Sequence, residues 1–425
     1  GLAEAHRRWG KLKWADLLAP AIQLAEEGFP VSEREHRGLS AAAKAFAADP
    51  LAAEVFLTEE GAPLPVGALL RQPRLAATLR RIATDGGKVF REGPVVENMV
   101  GASRVGGGIL SLADFQDYQA VLRPVQSMEW KGMEILAAGP PSSGGVFLSQ
   151  ALALLDGRSL RRWGLQDSRT IQLLGEIEAA AFRNRNRWLG DPAGFNFSVE
   201  ALTDPGYLAA LKLRLSPHRY TAPDTGLPGP ALESTQTTHL STVDGEGGAV
   251  ALTTTLNSGY GAKVMAPGGV LMNNEMDDFA TNPGKPNQFG LVQGVYNEVV
   301  PGRRPLSSMC PVIVVKGGKV DAVVGSPGGP TILTTVLQVL LHRYEFGMDP
   351  HSAVAAPRFH RQDRPPTLKH EAGRLGGSVR QKLRLLGQPV QQVKALGDVN
   401  AIFRGEDGWI PVADPRHDGL ARVAG

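Results

Sequence analysis

The chain of 425 residues holds one cysteine, Cys310, which excludes an internal disulfide framework and a thiolate-based metal site. Long apolar runs are missing as well: none approaches the roughly 18 residues that a membrane helix requires, and no charged-then-apolar leader is present. Blocks of one charge sign are also absent. The formal charge of +3 comes from 45 basic and 42 acidic residues spread along the chain, without the basic arm or acidic tail that would imply nucleic acid. Internal repeats and low-complexity stretches are not found. What remains is an ordinary globular composition, 42% hydrophobic, at a length that suits one large or two medium domains with small, soluble partners. The first residue is Gly1 rather than Met, from which we expect an upstream segment, and any signal peptide with it, to lie outside this chain.

Helix signals dominate the first half. Residues 14–28 (WADLLAPAIQLAEEG) set Leu17, Leu18, Ile22 and Leu24 at mostly helical intervals, with Gly28 as C-terminal cap ahead of Pro30. Pro73 opens a second amphipathic helix over 73–85, whose Arg80 and Arg81 read as a solvated face. Ser111 followed by Asp114 reads as a helix N-cap. A strand at 134–137 runs into the loop GPPSSGG (139–145) and then a helix. A serine in a strand-to-helix loop suggests a nucleophile elbow, but the G-x-S-x-G spacing is absent, so Ser142 and Ser143 read as a structural turn, with nucleophile as the alternative. The helix expected over 170–189 ends in Arg183, Arg185 and Arg187. Alternate arginines do not share one helix face, and the pattern reads as a partly buried, salt-bridged helix end. Residues 221–236 (TAPDTGLPGPALESTQ) have few apolar anchors and the composition of a mobile connector.

Beyond the connector the pattern turns to strands. Residues 238–243, the turn DGEG (244–247) and residues 249–255 form a hairpin by composition and by the Asp-Gly signal. A second hairpin joins 312–315 to 320–324, and its outgoing strand ends in GSPGGP (325–330), which opens a helix at TILTTVLQVLLHRYEF. At the head of the first hairpin stands Thr237. A threonine hydroxyl is a poor nucleophile unless something takes its proton; at a chain terminus its own α-amino group, with a reference pKa near 8, does so. Such a role requires cleavage of the Gln236–Thr237 bond; taken alone, Thr237 reads as an ordinary strand residue. His239 lies on the same strand face and reads as structural. His351, His360 and His417 lack metal-ligand spacing, and Gly106–Gly108 fits neither a phosphate loop nor a dinucleotide fingerprint.

Five blocks in the second half, TTHLSTVD (237–244), TLN (255–257), NNEMDDF (273–279), RPLSSM (304–309) and SPGG (326–329), resemble the gamma-glutamyltransferase (gamma-glutamyltranspeptidase, glutathione hydrolase) family in order and spacing. WADLLAPAIQLAEEGFPV, PPSSGG and WLGDP in the first half resemble that family's large subunit, so the likeness spans nearly the whole chain. The resemblance implies an α+β fold of the N-terminal nucleophile hydrolase type, a four-layer αββα sandwich. It implies a precursor that cuts itself between Gln236 and Thr237, into a large-subunit portion (1–236, closing with the connector 221–236) and a small subunit (237–425) that carries the nucleophile.

By the same resemblance Thr237 is the nucleophile, Thr255 its hydrogen-bonding support, and Gly328 and Gly329 the oxyanion hole. The glycines also suit that role locally, since backbone N–H groups at a helix start point outward with a favourable dipole. Asn257, Glu275 and Asp278 would hold the substrate's α-amino group, and an ammonium does need acceptors and negative charge. Ser307 and Ser308 would help hold the α-carboxylate. The donor would be glutathione or another gamma-glutamyl amide, the acceptor water, an amino acid or a dipeptide, with no metal or organic cofactor. Two departures accompany the likeness. The family's carboxylate-binding arginine falls upstream of Gly1, so the chain reads as N-terminally truncated, and in the lid-like loop 280–290 Phe289 stands where an aromatic with a hydroxyl is familiar. Periplasmic or extracellular placement is expected from the resemblance alone. Two rivals stay open: a glutaryl-type β-lactam acylase of the same fold, and an unprocessed, inactive homologue with a binding role.

Overall fold

The structure, a computed structural model, describes residues 1–194, 198–223 and 237–423. They form two compact units that interleave in sequence. The first comprises Gly1–Leu122 and Ser258–Asn274, the second Arg123–Asn257 and Glu275–Gly425. The described residues on both sides of the expected cleavage point, up to 223 and from 237, belong to the second unit.

The first unit is mainly helical. Helix α1 (Trp14–Glu27) ends at Gly28, whose φ of 85° lets the chain leave the helix in a conformation that residues with a Cβ seldom adopt. Helix α2 (Glu33–Phe46) starts at a capping box in which Ser32 and Glu35 satisfy each other's backbone N–H groups. Helix α3 (Pro73–Asp85) begins at its proline as expected. A small apolar core including Val31, Leu39, Phe46, Phe56 and Met265 closes this unit.

The second unit is built on a six-stranded antiparallel sheet. Its strands are β1 (Val125–Trp130), β2 (Met133–Ala138), β5 (Val312–Lys316), β6 (Lys319–Gly325), β7 (Asn400–Arg404) and β8 (Trp409–Ala413), in the order β8-β7-β6-β5-β2-β1. Strand β2 alternates buried and half-buried residues, the period of a strand with one face on the core. It pairs with β5 from Met133↔Lys316 to Ala137↔Val312. Helices α4 (Gly144–Leu155) and α6 (Thr331–Tyr344) pack against this sheet, and α5 (Ser168–Trp188) packs on α4. Every residue from Thr331 to His342 in α6 is buried, as in a helix hydrophobic all round that lies inside the protein.

A hairpin of β3 (Thr238–Val243) and β4 (Ala249–Thr254) forms a second β-layer on the sheet. Among the described residues this layer is two-stranded. His239 and Ser241 face the sheet: Ser241 Oγ donates to the Asn400 carbonyl at 3.0 Å, and Asn400 Nδ2 donates to the His239 carbonyl at 3.3 Å. The His239 ring lies directly on Gly325, where an added Cβ would sit 2.1 Å from Cε1. Glycine at this position therefore lets the hairpin approach the strand that leads to the SPGG loop. Gly325→Ala is expected to cost about 1–3 kcal/mol of stability in chemical denaturation, the usual scale for overpacking. Gly245→Ala, at a turn position with open space around it, should change stability by no more than about 0.5 kcal/mol.

Candidate functional site

The site is assembled from four loops of the second unit. Loop 139–145, between β2 and α4, grips loop 304–309. Ser307 N donates to the Pro141 carbonyl, and Ser143 N and Oγ both donate to the Ser307 carbonyl, each at 2.8 Å. Ser142 Oγ donates to the Met309 carbonyl. Both serine hydroxyls are thus spent on holding backbone, which corrects the alternative that one of them is a nucleophile. Asp191, its side chain wholly buried, accepts from Arg304 N at 2.9 Å and pairs with Arg123 at 2.7 Å. The WLGDP segment therefore anchors the start of the same loop.

Helix α5 supplies an unexpected member. Arg183 ion-pairs with Asp363 at 2.8 Å and Arg187 lies over the Trp188 ring, consistent with a helix end. Arg185 departs from the expected pattern. It is 2% exposed and reaches Ser143 Oγ, Asn186 Oδ1 and Ser308 Oγ, each at 2.9 Å. No carboxylate among the described residues forms an ion pair with it, and burial lowers its pKa to about 10. Helix α5 is buried nearly all round, so Arg185 need not share the outward face of Arg183 and Arg187.

Thr237 is 6% exposed, and its Oγ1 donates to Thr255 Oγ1 at 3.3 Å. Thr255 Oγ1 also accepts from Asn257 N at 2.8 Å, so the hydroxyl that supports Thr237 is itself fixed. Gln236 lies outside the described residues. Asn257 occupies the left-handed region at φ 77°, which asparagine tolerates better than most residues, and its side chain hydrogen-bonds Asp278. Glu275 and Asp278 share a short 3-10 helix, Glu275–Asp278. Burial first, and then repulsion from Asp278, raises Glu275 to about 8. Burial likewise raises Asp278 to about 7, against the pull of Arg185 and Asn257. Carboxyl groups held this far from their ordinary values mark a candidate functional position.

Gly328 and Gly329 take φ values of 135° and 55° immediately before α6. Their carbonyls accept from the first turn of the helix, Gly328 O from Thr331 Oγ1 at 2.8 Å and Gly329 O from Ile332 N at 3.1 Å. The turn so formed leaves backbone N–H groups at a helix N-terminus, where developing negative charge is stabilised. Gly329 lines the same cavity as Thr237, Asn257, Asp278, Ser307 and Ser308. That cavity measures about 20 Å³, room for one water, and Phe289 and Leu291 form part of its wall, so any larger ligand requires the wall to move. A larger cavity of about 1170 Å³ lies in the first unit, but none of its lining residues is Ser, Thr or Cys.

His239 faces away from the nucleophile candidate. Its ring nitrogens meet Thr253 Oγ1 at 2.7 Å and Ser241 Oγ at 3.1 Å, and burial pushes its pKa down to about 4. Among the described residues no group of three His, Cys, Asp or Glu side chains is placed to hold a metal, and no helix is long and apolar enough to cross a membrane.

The layered α+β fold, with a buried threonine at the head of an inner hairpin, is that of the N-terminal nucleophile hydrolases. A cephalosporin acylase from Bacillus halodurans superposes with a TM-score of 0.85 over 99% of this chain and 76% of that one; at 24% identity the likeness concerns the fold alone. The chain belongs to the gamma-glutamyltranspeptidase family, whose pattern matches residues 1–424. It is 38% identical to the glutathione hydrolase proenzyme of Pseudomonas aeruginosa, covering 100% of this chain and 76% of that protein. Identity to the glutathione hydrolase proenzyme of Escherichia coli is 36%, covering 98% of this chain and 72% of the relative.

A carboxyl group whose folded pKa lies above its unfolded value binds more protons folded than unfolded. Its contribution to stability therefore falls as pH rises from about 4 through the raised values near 7 and 8. Asp278→Asn is expected to melt at a higher temperature than the unsubstituted protein at about pH 8 to 9, with the gap closing below about pH 4. Thermal melts across this range check it, and equal melting at alkaline pH would contradict a carboxylate buried at a cost.

Proposed function

We propose that the protein is a self-processing gamma-glutamyl transferase and hydrolase acting on glutathione and related gamma-glutamyl amides. The observation that carries this reading is that one cavity is lined by Thr237, bonded to Thr255, by Gly329, and by Asp278 with its partner Asn257. In the first event Thr237 Oγ1 attacks the Gln236 carbonyl carbon, the peptide bond becomes an ester, and water hydrolyses it. Gln236 gains a carboxylate and Thr237 a free α-amine. Because β2 precedes this point and β5 follows it, the sheet still joins the large and small subunits after the cut.

In turnover the new amine takes the Thr237 hydroxyl proton as Oγ1 attacks the γ-carbonyl carbon of the donor. The oxyanion rests on the N–H groups of Gly328 and Gly329, a contribution whose loss typically costs on the order of a hundredfold or more in rate. Collapse expels the leaving amine, which takes the proton from the Thr237 ammonium, and a gamma-glutamyl ester remains on Oγ1. Water, or the amine of an amino acid or dipeptide, then attacks the ester and restores the threonine. Asn257, Glu275 and Asp278 hold the donor's ammonium, and Ser307 and Ser308 hold its carboxylate.

A glutaryl donor lacks the ammonium that would meet Asp278 and Asn257 at the cavity, which sets the gamma-glutamyl reading above the acylase one. The full-length precursor should release p-nitroaniline from γ-glutamyl-p-nitroanilide, and Thr237→Ala should abolish both chain cleavage and release. An inactive but correctly cleaved protein would sink the proposal. Because the free carboxyl groups titrate near 7 and 8, kcat/KM for the gamma-glutamyl donor should climb as pH rises through that range. The glutaryl analogue should rise less steeply, with only the limb of the Thr237 amine.

A further inference from the structure

We propose that Arg185 is a positioning residue for donor selection: through Ser308, with Ser143 fixing the guanidinium, it builds the half of the site that answers the donor's α-carboxylate. The inference rests on the gamma-glutamyl reading above and extends it to a residue of the large-subunit portion.

A buried guanidinium is costly unless it is paired and its five donors are satisfied. Arg185 has only neutral acceptors within hydrogen-bond reach: Ser143 Oγ on Nε, Asn186 Oδ1 on Nη1 and Ser308 Oγ on Nη2, each at 2.9 Å. The Gln293 amide, also neutral, lies 3.0 Å from Nη1 once its oxygen is turned inward. Asp278 acts on it through space without an ion pair. The other buried arginines of the second unit are matched differently: Arg358 pairs with Asp414 and Arg361 with Glu176, each at 2.6 Å. Arg185 is the buried arginine that lines the cavity; Asp278 lines it too, but the two form no ion pair.

The hydrogen-bond directions say where that carboxylate belongs. Nη2 donates to Ser308 Oγ, so the serine hydrogen is left to point elsewhere, and the adjacent cation makes it a better donor. Ser308 lines the cavity, whereas Ser143 donates to the Ser307 carbonyl and so locks the loop that carries both serines. A donor carboxylate accepting from Ser308 would complete a chain of carboxylate, hydroxyl and guanidinium, opposite the acidic pair that meets the donor's ammonium. The two charges of an amino acid head group would each meet their complement.

Three anilides separate the charges. γ-Glutamyl-p-nitroanilide carries both, γ-aminobutyryl-p-nitroanilide keeps the amine alone, and glutaryl-p-nitroanilide keeps the carboxylate alone. Arg185→Met in the full-length protein should lower the preference for the γ-glutamyl over the γ-aminobutyryl compound, as a kcat/KM ratio, by roughly ten- to a hundredfold. The preference for γ-glutamyl over glutaryl should hold. Arg185→Lys, which keeps the charge but loses the fork, should recover part of the loss. If Arg185→Met fails to fold or to cleave, Ser308→Ala and Ser143→Ala carry the test, with the larger loss of carboxylate preference expected from Ser308→Ala. An equal fall for all three anilides in these variants would overturn the proposal and leave the gamma-glutamyl reading standing. An unsubstituted, cleaved protein that turns over none of the three would overturn both.

Discussion

Pairing of β2 with β5 is the constraint on which the rest of the second unit depends. Residues 133–137 lie before the proposed break in the chain and residues 312–316 after it, yet they are neighbours at the middle of one sheet. Loop 139–145 continues β2 and loop 304–309 leads into β5, so the same pairing brings Ser143 against Ser307 and sets Ser308 at the cavity. Strand β6, next in the sheet, delivers the SPGG loop to the start of α6. A backbone cut before Thr237 removes one covalent bond and none of these contacts. The proposed chemistry is therefore compatible with the fold in both the whole and the divided chain.

The site is held at an electrostatic cost. Glu275 and Asp278 are pushed up by burial, and Arg185 is pushed down by it; the attraction between Asp278 and Arg185 offsets only part of that cost. Opposite charges could have been paired directly, as they are at Arg416 and Glu371 or at Arg358 and Asp414. In the proposed reading, Arg185 and Asp278 line one cavity without an ion pair, which leaves room for a ligand that bears one positive and one negative group. Stability given up in the empty protein is recoverable as selective binding, the usual relation between strained sites and function.

Local signals in the sequence reached far into this arrangement. The Asp-Gly turn, the capping residue Ser111, the proline start of the helix at residue 73 and the glycine-rich entry to α6 each depend on chemistry within a few residues, and the elements stand where that chemistry puts them. The likeness of five short blocks to one family supplied the candidate residues, and the cavity gathers Thr237, Thr255, Asn257, Asp278, Ser307, Ser308 and Gly329. What stayed hidden has a common cause. Ser142 and Ser143 act on backbone 164 or more residues away, Asp191 acts on Arg304 across 113, and Arg185 acts on Ser308 across 123. No periodicity or motif rule covers such distances. The interleaving of the two units is of the same kind, since residues 258–274 leave the strand-rich half of the sequence and join a helical unit.

The central claim is that Thr237 is the atom donor to a covalent intermediate. It is tested most directly by mixing the full-length enzyme with γ-glutamyl-p-nitroanilide, quenching in acid within a turnover and weighing the peptides. The account predicts a peptide that begins at Thr237 and carries one gamma-glutamyl group. A gamma-glutamyl group on any other residue, or an active protein whose peptides run unbroken from Gln236 into Thr237, would contradict it.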